Sequence, residues 1–160
     1  MSADDQDFEA KRKLLHSADA DISLRILALD SITAHDLFHV DLLALLLNPA
    51  VPVELRAEAT EKSAGCPELA PILMKFLEHG TEPPEILFWA LYALGSIYAG
   101  DESATDVQAL VERYLEDERV VVVVPPTSGT IAQEADWARR TIEGENIDPE
   151  WMSSFRHVTP

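Results

Sequence analysis

Two histidines four residues apart are the side chains of this chain best spaced for metal chemistry. His35 and His39 flank Asp36, and Asp41 follows shortly after. On a helix, residues four apart share one face, so both imidazoles could bind the same ion. A zinc site needs at least one further protein ligand, and no third ligand is apparent in the sequence. We therefore expect no bound metal, with His35 and His39 as the nearest approach to a metal site.

The remaining patterns do not predict a catalytic centre. Asp36 occupies the place of the glutamate in the H-E-x-x-H zinc-protease motif, and its shorter side chain would reach a metal-bound water poorly. The single cysteine, Cys66, precedes Pro67 with no general base beside it, which favours a small buried apolar residue over a reactive thiol. The six glycines are scattered singly, so no phosphate-binding loop is present. The sequence predicts no catalytic residue and no cofactor.

The charge of the chain is strongly unbalanced. Its 160 residues are enough for one domain with a real core, and they carry 29 acidic and 12 basic side chains, a net charge of -17. Such a charge repels nucleic-acid phosphates and anionic lipid head groups, so neither nucleic acid nor a membrane is an expected partner. It attracts a basic protein surface and speeds the encounter with one. The alternative is that the charge only keeps the protein in solution.

No segment of the sequence is expected to enter a membrane. The longest apolar stretch, residues 40–47, is too short to span a bilayer and contains Asp41. The first thirteen residues are acidic and lack the apolar core of a secretory signal. We therefore expect a cytoplasmic protein.

Amphipathic helical segments recur along the chain with a period of thirty-one residues. Arg25, Arg56 and Leu87 occupy equivalent positions in three of these segments. A period in this range with two helices per unit is typical of α-solenoids. We predict an all-α fold, a short α-solenoid of about four antiparallel helical hairpins. These hairpins would pair residues 8–16 with 21–33, 36–47 with 51–64, 67–79 with 83–99, and 103–117 with 129–143.

The last hairpin departs from this pattern, and the chain changes character after it. Five consecutive valines, Val120–Val124, lie between its two helices and favour extended structure. They are either a buried connector or an exposed edge that pairs with a strand of a partner. We assign residues 1–143 to the repeat domain and residues 144–160 to a polar C-terminal tail. Residues 149–155 of this tail are expected to form a short helix that docks on the last repeat through Trp151 and Phe155.

The hairpins resemble HEAT repeats. Residues 42–65 carry the resemblance best, with a leucine-rich first helix, an Asn48-Pro49 turn, and Val53, Arg56, Ala57, Ala59 and Gly65 along the second helix. Leu24-Arg25 repeats the arginine feature, whereas Leu87 replaces it in the third unit. The resemblance covers residues 8–142. It implies a scaffold, adaptor or binding module, because most proteins of this family are of these kinds, and the fold alone does not specify which function this chain has. HEAT-like lyases that attach bilins to antenna proteins share this shape and are the enzyme alternative.

The second helices of such repeats line the concave face of a solenoid, and the thirty-one-residue offset shows which residues would line it. It places Leu27, Glu58 and Trp89 in equivalent positions, and likewise Asp30, Glu61 and Tyr92. For the last unit, aligning Ala135 with Ala90 puts Glu134 at the Trp89 position and Trp137 at the Tyr92 position. The predicted partner-binding stripe consists of Asp30, Glu54, Glu58, Glu61, Glu85, Trp89, Tyr92, Glu134 and Trp137. The alternative is that the three aromatic side chains are core and the glutamates a solvated face.

The sequence thus favours a non-catalytic protein-interaction module for a basic protein partner. Carboxylates would pair with lysine or arginine, and the aromatic rings would serve as anchors. An inhibitor or immunity protein of a cationic toxin fits these features, as does an adaptor or assembly chaperone. The competing hypothesis is a HEAT-like enzyme such as a bilin-lyase-type transferase, which would have a deep pocket with converging polar groups.

Overall fold

A computed structural model of the chain describes residues 2–124 and 127–152. The described part is mostly helical with one small two-stranded sheet. The helices are α1 (Ala3–Leu15), α2 (Ile22–Ser31), α3 (Phe38–Leu47), α4 (Val53–Lys62), α5 (Ala70–His79), α6 (Pro84–Ile97), α7 (Thr105–Glu112) and α8 (Ile131–Ile142). The strands are β1 (Val120–Val124) and β2 (Thr127–Thr130). Within the described ranges, no helix is both long enough and apolar enough to cross a membrane.

Local side-chain bonds explain where several helices begin and end. Ser2 caps α1 through a reciprocal bond with Asp5, so this helix starts earlier than the predicted residue 8. The Asp21 side chain accepts the backbone N–H of Ser23 and so caps the start of α2. Gly80 ends α5 at φ 66°, a left-handed conformation that glycine adopts without a steric penalty.

The helices pack as neighbouring pairs in two layers. Helices consecutive in sequence pair as α1 with α2, α3 with α4, α5 with α6, and α7 with α8. The second members also pack on one another, α2 on α4, α4 on α6, and α6 on α8. Helix α6 is therefore the centre of the second layer, and its side chains Ile86, Leu87 and Phe88 are fully buried.

Three buried hydrogen bonds satisfy carbonyl groups at the ends of first-layer helices. Arg25 Nε donates to the carbonyl oxygen of Leu15 at 2.8 Å, and Arg56 Nη2 donates to that of Leu46 at 3.0 Å. The third such carbonyl, that of Leu77, accepts the Tyr114 hydroxyl at 2.6 Å. Helix-terminal carbonyls have no partner within their own helix, so each of these donors closes one helix end.

The purely helical prediction requires a correction at the valine run. Val120–Val124 pairs antiparallel with Thr127–Thr130, so the connector between α7 and α8 is a β-hairpin. Val121 is buried against the core, while Val120 and Val122 are 64% and 59% exposed. The run is therefore buried on one face and exposed on the other, because alternate side chains of a strand point to opposite faces, and its pairing with a strand of a partner stays a prediction.

The C-terminal segment packs against both α6 and α8. Residues 150–152 are helical, and the Trp151 ring contacts Trp89 and Tyr92 of α6 at centroid distances of 5.3 and 5.6 Å. The backbone oxygen of Ile147 accepts the Trp137 indole N–H of α8 at 2.9 Å. Trp151 thus docks on α6 as well as on the last helix pair, and Phe155 lies outside the described residues.

Candidate functional site

A cavity of about 480 Å³ lies between α4, the start of α6, β1 and the C-terminal segment. One side of it is acidic and the other is apolar. Its lining residues are Val53, Glu54, Ala57, Glu58, Glu61, Glu85, Trp89, Val122, Val123 and Trp151. This volume is within the range of ordinary ligand pockets and would hold one or more long side chains.

The acidic wall follows from the helical spacing of three glutamates. Glu54, Glu58 and Glu61 lie four and then three residues apart on α4, which places them on one helix face. Glu85 joins them from the first turn of α6, where the positive end of the helix dipole favours a carboxylate. Four carboxyl groups therefore converge on the same space from two helices.

No basic side chain lines this cavity among the described residues. The nearest cation, Lys62, has its Nζ 2.6 Å from a carboxylate oxygen of Asp30. Burial raises the pKa of Glu58, and Asp30 adds to the effect while Lys62 opposes it. Burial also raises the pKa of Glu61, with Glu58 as the next cause. These carboxylates are thus held close together with little compensating positive charge.

The apolar wall is built on a cluster of three aromatic rings, Trp89, Tyr92 and Trp151. The centroids of Trp89 and Trp151 are 5.3 Å apart and those of Trp89 and Tyr92 are 5.5 Å apart, with interplanar angles of 74° and 88°. Edge-to-face rings at these distances are in direct contact, so no cation fits between them. The cluster instead gives a rigid surface beside the carboxylates, extended by Val122 and Val123 of β1.

The structure brings together five residues of the predicted stripe: Glu54, Glu58, Glu61, Glu85 and Trp89. Tyr92 lies behind the lining in the aromatic cluster, where burial raises the pKa of its hydroxyl. Asp30 is exposed beside the cavity and pairs with Lys62. The offset of thirty-one residues therefore selected side chains that share one cavity, and their role in binding a partner stays a prediction.

Three residues of the stripe are buried. Trp89 is only 6% exposed, although it lines the cavity, whereas Trp137 and Glu134 do not line it, and the predicted open face is wrong for these two. Trp137 is only 8% exposed, and its ring fills the space beside Gly95, where an added Cβ would come within 2.8 Å of it. Glu134 is 2% exposed, because Ser128, Gly129 and Trp151 cover this part of α8. Burial raises the pKa of Glu134 to about 8. These two residues align with the concave stripe only when the β-hairpin and the C-terminal segment are ignored.

Sequence reasoning missed the apolar residues of the cavity, some of which lie beside the glutamates and some on the opposite wall. Val53 and Ala57 lie on the same α4 face as the glutamates, and their spacing from Glu54, Glu58 and Glu61 carried this information. Val122 and Val123 reach the cavity only because the hairpin folds back over α6. No sequence pattern predicts that contact, because it depends on the tertiary position of the strand.

The two histidines first considered as metal ligands face different partners. His35 stacks on the Phe8 ring, and its Nδ1 accepts the Leu37 backbone N–H at 3.1 Å. The Nδ1 of His39 lies 3.6 Å from a carboxylate oxygen of Glu68. Each imidazole therefore has its own neighbour on the surface.

The only cysteine of the chain, Cys66, is buried. This confirms the prediction of a small apolar residue over a reactive thiol. Burial raises the pKa of its thiol, and Glu68 adds to the effect. A raised pKa keeps the sulfur protonated and therefore unreactive.

The four carboxylates of the cavity attract positive charge. Its described lining contains carboxylates and apolar groups, and no nucleophile paired with a base. Comparison with models of known protein families, with curated proteins and with solved structures found no match to this chain. Function is therefore inferred from the cavity and its charges.

Proposed function

We propose that this chain is a non-catalytic binding module that takes a basic segment of a protein partner into its acidic cavity. The observation that carries this proposal is the wall of Glu54, Glu58, Glu61 and Glu85 with no lysine or arginine in the described lining. Burial raises the pKa of Glu58 and of Glu61, and Lys62, which opposes both shifts, is itself paired with Asp30, so little positive charge is left to compensate the cluster. A cation from a partner would supply it.

A lysine or arginine side chain fits both walls of the cavity at once. Its aliphatic stem would lie along Val53, Ala57 and Trp89, while its charged end would reach the carboxylates. The net charge of -17 would accelerate the approach of such a partner. A cationic toxin or nuclease held by an inhibitor or immunity protein is the partner class that these charges favour, and an adaptor for a basic protein uses the same surface. A bilin is not proposed, since four carboxylates would repel its propionate groups.

The helix pairs are proposed to be HEAT-like repeats of a short α-solenoid. Arg25 and Arg56 are thirty-one residues apart, and so are the two carbonyl groups that they reach, those of Leu15 and Leu46. Buried alanines recur with the same offset at positions 28, 59 and 90. These equivalent contacts support a repeating unit, and the layer of second helices that carries the acidic wall corresponds to the concave side of a solenoid.

The proposal is tested by titrating the purified protein with an end-capped octapeptide of alternating lysine and valine, followed by tryptophan fluorescence. The same peptide with glutamate in place of lysine is the charge control. Replacing Glu58 and Glu61 together by glutamine should weaken binding of the lysine peptide about tenfold, because two charge pairs of modest strength are lost. Glu112→Gln, on the exposed face of α7, should leave the affinity unchanged. Equal binding of both peptides, or equal affinity of all three proteins, would overturn the proposal.

A further inference from the structure

Strand β1 has one free edge. The sheet consists of β1 and β2, so β1 has a strand neighbour on one side only. The carbonyl oxygen of Arg119 accepts the Ile131 N–H at 3.0 Å, and the register continues with Val120 opposite Thr130 and Val121 opposite Gly129. Bonded pairs alternate along an antiparallel ladder, so the backbone groups of Val121 point toward β2. Those of Val120 and Val122 point away from β2, toward the free edge.

The acidic cavity lies along this free edge. Val122 and Val123 are consecutive in the strand, and both line the cavity. Consecutive side chains leave a strand on opposite faces, so a space that touches both borders the strand at its edge. No residue of β2 lines the cavity, which places the cavity on the side of β1 away from its partner. In residues 2–124 and 127–152, no element other than β2 forms a hydrogen bond with the backbone of Val122.

The chemistry around the edge specifies what can cover it. Val120 and Val122 offer exposed apolar side chains, and Glu58, Glu61 and Glu85 face the same space from the helices. An edge strand satisfies its outward N–H and C=O groups by adding a further strand. A segment that meets both conditions is extended and carries basic side chains that alternate with apolar ones.

We infer that an extended segment of the basic partner adds to the free edge of β1 as a third strand and directs its lysine or arginine side chains into the acidic cavity. This inference rests on the proposed function and states how the partner is bound. Backbone pairing would contribute affinity without regard to sequence, and the glutamates would select for basic side chains. Val122 takes part in both the backbone pairing and the cavity, because it lines the cavity and its backbone groups face the free edge.

Amide hydrogen exchange of the full ¹⁵N-labelled chain, with and without the lysine–valine octapeptide, tests the inference residue by residue. In the free protein, the amides of Val120 and Val122 should exchange quickly and that of Val121 slowly. Peptide binding should slow exchange at Val120 and Val122 by about tenfold or more, since each gains a hydrogen-bond partner, and should leave Val121 nearly unchanged.

Two sets of variants separate backbone pairing from attraction between charges. Val122→Pro removes the N–H at the free edge without removing a bond to β2, whereas Val122→Thr keeps this N–H and the branched shape. The proline variant should bind the octapeptide about fivefold to tenfold more weakly, and the threonine variant within about twofold of the wild type. Octapeptides methylated at single backbone nitrogens should lose affinity at alternate positions only, which tests the pairing even if Val122→Pro does not fold.

A lysine–alanine peptide of equal charge that forms a helix is the control for the mode of binding. If it binds as well as the lysine–valine peptide, and if neither the exchange rates nor the methylation pattern respond, strand addition is wrong and the acidic cavity remains a binding site. If the lysine–valine peptide binds no better than its glutamate counterpart, the proposed function itself fails. The two failures are therefore distinguishable.

Discussion

The carboxyl group of Asp41 in α3 and the carboxyl groups of the cavity have opposite environments. Asp41 is 1% exposed, and both of its carboxylate oxygens accept Arg12 Nε at 3.0 Å. The His16 Nε2 lies 2.8 Å from the same carboxylate. Glu58 and Glu61 are only partly buried, and Lys62, the cation nearest to them, is itself paired with Asp30. A buried carboxylate with its own arginine serves the fold, whereas a carboxylate cluster without such a partner fits the binding role proposed above.

Replacing Arg12 by methionine would break the compensated site and should have the largest effect. Methionine keeps much of the aliphatic stem but leaves the buried carboxylate of Asp41 with His16 alone. Removing one partner of a buried ion pair should lower the free energy of unfolding by about 3 kcal/mol. Urea denaturation measures this loss, and binding of the lysine–valine peptide should remain unchanged.

The matched control for this change is Lys13→Met, because Lys13 is exposed on the same helix. Its effect on stability should stay within about 0.5 kcal/mol, as is usual for surface substitutions. If the two variants lose the same stability, Arg12 does not compensate Asp41. If Arg12→Met also loses peptide binding, the separation between a structural and a binding carboxylate is wrong.

Glu134 lies between these extremes and gives a pH-dependent prediction. It is buried like Asp41, but its Oε1 accepts no hydrogen bond in the described structure. Glu150 contributes to its raised pKa, and the Trp151 indole opposes the shift. A pKa of about 8, above the ordinary 4.5, means that the folded protein holds a proton which the unfolded chain releases. The protonated Glu134 therefore contributes to the free energy of unfolding. This contribution is fully present below about pH 4.5 and is lost as the pH rises to about 8.

Glu134→Gln removes this titration and should therefore gain stability relative to the wild type as the pH rises. We expect the difference in unfolding free energy to grow by about 2 kcal/mol between pH 5 and pH 8, below the limit of about 1.4 kcal/mol per pH unit. Urea denaturation at several pH values measures it, with Glu112→Gln as the exposed control. A difference that does not vary with pH would show that Glu134 is ionised throughout.

Glu61→Gln should have the smallest effect on stability, with a sign opposite to that of Arg12→Met. The folded-state pKa of Glu61 is raised, so its ionisation above that pKa costs stability, and glutamine should increase the unfolding free energy at pH 7 by less than about 1 kcal/mol. The same variant should bind the lysine–valine peptide more weakly. Stability that falls together with binding would mean that Glu61 supports the fold, and the comparison with Asp41 would then collapse.

The helices and the acidic wall were predictable because they depend on local spacing. The leucine pattern of α3 is visible within ten residues, and the repeat of Arg25 at Arg56 can be found by comparing the sequence with itself. Glu54, Glu58 and Glu61 share a face of α4 whatever the rest of the chain does. The mostly helical character of the fold and the residues of the acidic wall followed from these features.

The compensated carboxylate and the covered glutamate depend on contacts between distant parts of the chain. The bond between Arg12 and Asp41 joins residues 29 positions apart, and no periodic pattern links them. Strand β2 has the sequence TSGT, which contains no apolar side chain and has a glycine in place of a strand-favouring residue, so its pairing with β1 is not visible in the local pattern. Glu134 was placed on an open face because the hairpin and Trp151 that cover it could not be foreseen.

The three donors that close first-layer helix ends also determine which parts of the chain can be exchanged. Arg25 and Arg56 reach carbonyl groups ten residues before them, so each donor travels with its own helix pair. Leu77 receives its donor, Tyr114, from the turn after α7, 37 residues later in the sequence. A designer who lengthens the molecule by repeating the stretch from α3 to α4 would therefore keep the Arg56 bond in each copy, but would have to replace Asp41 in the new copy, because its partners Arg12 and His16 lie before this stretch. The stretch from α5 to α6 cannot be transplanted alone, since a cut before α7 would leave one of its carbonyl groups without a donor.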